Sequence, residues 1–270
     1  MIGDLSFAVR NLGIGIMLMA GSALSAQQGC NNTDPGNNVG DWGCVTFTYR
    51  GQPVTYTTVR AADGNIWLQQ NLGSGRVAES LDDEQSYGDM FQWGRWDDGH
   101  QLRNSSVISP PSDNTPEGLQ GTDSFITGTP AWWASNGADD KWTGTGLSDV
   151  TETVGIDPCK AVGLGWKLPS QTDWENIAQG ENIISPAKAY GGNLKLPMGG
   201  YRSSSDGGFT FVGKRGYFWS STAAGIGGKY LYIGATVANA AAGASRGQGS
   251  SVRCIKTEAG LGTSDIILNK

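Results

Sequence analysis

The run at residues 213–256, GKRGYFWSSTAAGIGGKYLYIGATVANAAAGASRGQGSSVRCIK, constrains the fold more than any other part of the chain. It holds three short strand-like pieces, 216–220, 230–234 and 251–256, the first two strongly aromatic. Between them lie Gly, Ala and Ser stretches that read as turns and loops. Glycine is high throughout, 42 of 270 residues where about 7% is ordinary usage, and long helical periodicities are missing. The expectation is a loop-rich, mainly β protein. Ten tryptophans and 38% hydrophobic residues supply enough apolar surface for a real core.

The first 26 residues have the form of a secretory signal. Arg10 sits in a short n-region, an apolar run covers 12–20, and small residues follow at Ala23, Ser25 and Ala26. That run is too short to span a hydrocarbon layer of about 30 Å, so cleavage near Ala26 is expected, with no stable membrane insertion. Secretion to the cell surface or beyond makes the four cysteines, Cys30, Cys44, Cys159 and Cys254, candidates for two bridges with three possible pairings. Cys30 and Cys44 flank a turn-rich segment that can close as a small loop, which leaves Cys159 for Cys254. A zinc site is not expected, because there is no C-x-x-C spacing and only one histidine. The 19 basic and 25 acidic residues give net charge −6 with no Lys/Arg cluster, which argues against a nucleic-acid partner.

Read in order, 27–44 is a polar N-terminal arm, followed by one domain over 45–257 and a tail at 258–270. VTFTY at 45–49 and VTYTTV at 54–59 form a hairpin across Arg50-Gly51-Gln52-Pro53. Asp82, Asp83 and Glu84 read as solvated surface, and YGDMFQWGRW at 87–96 as buried. Residues 97–158 read as a long loop insertion pinned by tryptophans. The clearest helix starts at Ser170, where Ser170 and Asp173 form an S-x-x-D cap, and ends at Gly180.

GNIWLQQNLG, YGDMFQWGR, GWKLPSQTDW, LKLPMGGYR, GYFWSST and SVRCIK, in that order, resemble the Fibrobacter succinogenes major paralogous domain family, a group of secreted bacterial proteins. The resemblance covers about residues 45–256. It implies an α+β, C-type-lectin-like domain, loop-rich and disulfide-braced, with Cys159–Cys254 as its long-loop bridge. It also implies ligand contact by the C-terminal loops, which here places Ser220, Ser221, Thr222, Lys229, Tyr230, Tyr232 and Asn239 at the binding surface. The acidic and amide pairs of calcium-dependent sugar-binding lectins are absent after Trp219, where Ser220-Ser221 stands instead.

Other candidates carry less. His100, the sole histidine, reads as a surface-loop residue. The acidic pairs Asp97-Asp98, Asp113 with Glu117, and Asp139-Asp140 lack EF-hand spacing; no cofactor is expected, and a structural calcium is the one ion they leave open. Trp132-Trp133 is a candidate sugar-stacking platform, since neighbouring loop residues seldom both point inward. The Ala/Gly/Ser run at 235–251 reads either as a flexible loop or as a contact with another subunit. A glycosidase needs two carboxylates about 5 to 9.5 Å apart, and no pair is nominated. The reading is a secreted, non-catalytic adhesion protein that binds a glycan or protein ligand; the alternative is a structural subunit self-associating into an extracellular fibre or filament.

Overall fold

The computed structural model describes residues 29–128, 132–133, 135 and 137–257. The expected signal segment and C-terminal tail lie outside the described residues. The strands in chain order are β1 (Trp42–Tyr49), β2 (Gln52–Arg60), β3 (Ile66–Leu68), β4 (Phe91–Gln92), β5 (Val107–Ile108), β6 (Phe125–Ile126), β7 (Lys141–Gly144) and β8 (Val154–Ile156). They continue with β9 (Trp166–Lys167), β10 (Tyr201–Arg202), β11 (Phe209–Thr210), β12 (Gly216–Ala224), β13 (Gly227–Ile233), β14 (Ala238–Ser245), β15 (Gly249–Ser250) and β16 (Ile255–Lys256). Among the described residues two α-helices, α1 (Gln171–Gly180) and α2 (Pro186–Gly191), complete an α+β architecture of small, mostly antiparallel sheets.

The β1–β2 hairpin forms because alternating β-branched and aromatic residues can put Phe47, Tyr49 and Tyr56 on a buried face. Its turn is shorter than the sequence suggests. Arg50 (φ 51°) and Gly51 (φ 73°) both take positive φ, so two residues suffice and Gln52 and Pro53 belong to β2. This hairpin is one side of a sheet ordered β1-β2-β3-β16-β9. The last strand, β16, lies between β3 and β9, which carries Cys254 to Cys159 (Cα–Cα 5.5 Å). Cys30 and Cys44 form the second bridge, tying the arm to β1 (Cα–Cα 5.8 Å). Next to Cys254, the buried Arg253 donates to Leu68 O, Leu194 O and Asn71 Oδ1. One residue thereby holds three distant segments together.

Helix α1 starts as expected. Ser170 accepts from Asp173 N, and the Asp173 carboxylate takes Ser170 N in return, a complete capping box. The helix runs through Gly180, and the left-handed residue beyond it is Asn182 (φ 52°). Trp174 and Ile177 pack it onto Phe218, Leu231, Ile233 and Ala240 of the sheet β12-β13-β14. A strand stands where the small-residue run reads as loop: Ala238–Ser245 pairs with β13 along most of its length. Ala and Gly have little strand preference of their own, so β13 imposes the conformation.

The insertion at 97–158 has structure of its own, with parallel pairs β5–β6 and β7–β8. Trp132 and Trp133 are both buried, so they form no exposed stacking platform. Trp132 Nε1 donates to Trp93 O and Trp133 Nε1 to Glu152 O, and the rings pack 5.3 Å apart. Room for Trp133 comes from Gly94 (φ 94°), where a Cβ would sit 2.0 Å from the ring. His100 is buried rather than exposed, and Asp83 caps a 3-10 turn and pairs with Arg76 rather than facing solvent.

Candidate functional site

β12 and β13 pair so that Tyr217 lies opposite Tyr232 and Trp219 opposite Tyr230. Residues two apart share a face, so Tyr217, Trp219, Tyr230 and Tyr232 crowd one side of the sheet, while Phe218 and Leu231 face α1 on the other. From β10, Tyr201 joins them. Ring centroids are 4.9 Å apart for Tyr201 and Tyr217, 5.4 Å for Tyr217 and Tyr232, and 5.6 Å for Tyr217 and Tyr230. Phe211 lies 6.2 Å from Tyr201, with the Arg215 guanidinium 3.7 Å above its ring. The result is an aromatic face whose deep part, Trp219 with most of Tyr217 and Tyr230, belongs to the core, and whose rim, Tyr201, Tyr232 and Phe211, reaches solvent.

Burial pushes the Tyr230 hydroxyl up to about 12, helped by the neighbouring tyrosines, and raises that of Tyr217 for the same leading reason. Both stay protonated at neutral pH and can donate as well as accept. Among the described residues none hydrogen-bonds the Tyr230 or Tyr232 hydroxyl, and neither oxygen is shut off from solvent. This equipment suits recognition: flat apolar rings with free polar tips.

The candidates inferred from the resemblance divide between two faces. Tyr230 and Tyr232 lie on the aromatic face, and the exposed Asn239 on β14 is registered against Tyr232. Ser220 is fully buried, with its hydroxyl donating to Lys229 O (3.0 Å) and its carbonyl taking Trp93 Nε1 (2.8 Å). Ser221 N donates to Pro169 O, and Thr222 Oγ1 accepts from Gln171 N at the start of α1. Lys229 lies on the α1 side and donates to Ala241 O (3.0 Å). Ser221 and Thr222 thus tie the sheet to the start of α1, Ser220 ties β12 to β13 and to Trp93, and Lys229 ties β13 to β14. Tyr201, Tyr217, Phe211 and Arg215 are the members missed, because no local pattern shows that β10 and the turn after β11 dock beside the β12–β13 hairpin.

The acidic pairs are largely occupied within the protein. Asp98 binds Arg95 and His100, and Asp140 binds Arg246. Among the described residues no group of three or more His, Cys, Asp or Glu could hold a metal ion. Among them, too, no helix is long and apolar enough to cross a membrane. No family model, curated protein or solved structure matches the chain.

Proposed function

We propose that this chain is a secreted, C-type-lectin-like binding protein that meets a glycan or protein ligand through the aromatic face of β12–β14, without catalysing a reaction. The observation that carries the reading is the cluster Tyr201, Tyr217, Tyr230 and Tyr232, packed ring on ring with two hydroxyls left unbonded. Tyrosine offers large contact area at low entropic cost, and rings already locked by neighbours lose little freedom on binding. Two disulfides and the order of motifs along the chain fit the same account. The test is binding of the mature protein to a glycan array and to intact cells. Tyr232→Ala, a half-buried rim residue, is expected to weaken binding about tenfold or more while leaving thermal stability nearly unchanged. Undiminished binding by Tyr232→Ala and Tyr230→Ala together overturns the reading.

The fibre-subunit alternative is favoured by one observation, that β14 is an edge strand of eight small or polar residues without charge or proline. Mass in solution and electron microscopy of the mature protein separate the two, since filaments make β14 an interface.

A further inference from the structure

On a different part of the surface, two cavities of about 490 and 440 Å³ share Gly73, Asp89 and Leu102 as a common wall, forming one two-lobed cleft. Its dimensions are those of a small-molecule site. Asp89 at its floor is nearly buried, and its carboxylate is fixed. Oδ2 accepts from the Tyr49 hydroxyl (2.8 Å), which in turn receives Gln101 Nε2 (3.4 Å). Gly73 (φ 81°) leaves room for the carboxylate, since a Cβ there would lie 2.3 Å from Asp89 Oδ2. The Gly73–Ser74 turn is itself held by Tyr56, whose hydroxyl accepts from Gly73 N and donates to Ser74 O.

This floor is built but incomplete. Among the described residues no cation lies within ion-pair distance of Asp89, though the charges of Arg50 and Arg103 act on it from farther off, and none hydrogen-bonds its Oδ1, so an oxygen of a largely buried carboxylate opens to the cleft without a protein donor. Burial accordingly raises its pKa to about 6. Across the same lobe, Arg103 stacks 4.4 Å from the Phe209 ring and makes one long hydrogen bond, to Gly88 O at 3.5 Å. A guanidinium carries five N–H donors, so most of them await an acceptor. Arg50 and Glu84 also line the cleft, so its formal charges, two arginines against Asp89 and Glu84, cancel. What is missing is a neutral molecule that donates to a carboxylate and accepts from a guanidinium side by side.

We infer that the Asp89–Arg103 cleft is a binding site for a neutral polyhydroxylated ligand, a saccharide unit whose adjacent hydroxyls donate to Asp89 Oδ1 and accept from Arg103. The amide side chains of Gln52, Gln85 and Asn104 on the walls extend the same type of recognition. This site is independent of the tyrosine face.

The test is amide NMR titration of the mature protein with glucose, galactose, mannose and N-acetylglucosamine at millimolar concentration, with glycine as a zwitterionic control. At least one sugar is expected to shift the amides of Gly73, Gly88 and Leu102 saturably, and Asp89→Asn and Arg103→Met each to weaken that binding about tenfold or more. Asp89→Asn keeps the shape and the Tyr49 hydrogen bond, so its folded spectrum serves as the control for structure. Tyr230→Ala is expected to leave the shifts intact, which separates this inference from the tyrosine-face reading. Overturning results are no sugar response at these amides, a response to glycine alone, or sugar binding undiminished in both cleft variants.

Discussion

At His100 the imidazole is enclosed, with Nε2 accepting Gln92 N (2.9 Å) and Nδ1 2.5 Å from Asp98 Oδ1, whose other oxygen binds Arg95. Burial is the main cause and Arg95 the next of a pKa lowered to about 4, so the ring is a neutral structural acceptor. The unfolded chain binds a proton on His100 near pH 6.5 and the folded chain does not until about 4, so this residue's contribution to stability falls as pH drops between those values. Asp89 and Asp157 act oppositely. Burial raises each to about 6, so the folded state holds their protons more tightly and gains stability as pH falls from about 6 toward 4. His100→Gln is therefore expected to be less stable than wild type at pH 7, with the deficit shrinking between pH 6.5 and 4. Urea midpoints at a series of pH values check it; a constant deficit counts against the assignment. None of this was legible in the sequence, where a lone histidine in W-D-D-G-H reads as loop surface.

Elements fall into two groups by how local their causes are. The β1–β2 hairpin and α1 were legible because alternation, turn residues and the Ser170–Asp173 cap lie within a few positions of one another. Ser170→Ala is expected to cost about 1 kcal/mol in chemical denaturation, the usual worth of such a cap, and a loss below a few tenths would mean that packing of Trp174 alone sets the helix start. β14 and the parallel pairs β5–β6 and β7–β8 take their conformation from the strand each pairs with rather than from their own residues, and carry no local signature. The aromatic face shows both situations. Tyr230 and Tyr232 stand out in one strand, whereas Tyr201 reaches them only after β10 is placed by β15 and β11.

For the molecule as a whole, the Cys159–Cys254 bridge joins residues 95 apart and fastens β16 into the first sheet. In the chain-entropy account a loop of roughly 100 residues is worth about 4.7 kcal/mol, against about 3 for one of 15, the scale of Cys30–Cys44. Replacing Cys159 and Cys254 together by Ala is expected to lower unfolding free energy by about 4 kcal/mol, and Cys30 with Cys44 by less. Equal losses from the two pairs would show that loop length is not what matters. Two clusters of buried residues, one on either side of the β12–β14 sheet, give this small-sheet protein the cooperative interior that its glycine content alone would not suggest.

β14 meets the rest of the protein through its pairing with β13, with Ala238 and Ala240 packed on the α1 side and Ala242 and Ala244 on the aromatic side, while Asn239, Ala241 and Gly243 are exposed. Changes at those three positions alter what a visitor meets beside Tyr232 yet remove nothing from the interior. Such a strand tolerates substitution at its exposed positions while the framework beneath it stays as it is. The surface beside Tyr232 can therefore be rewritten without rebuilding the fold.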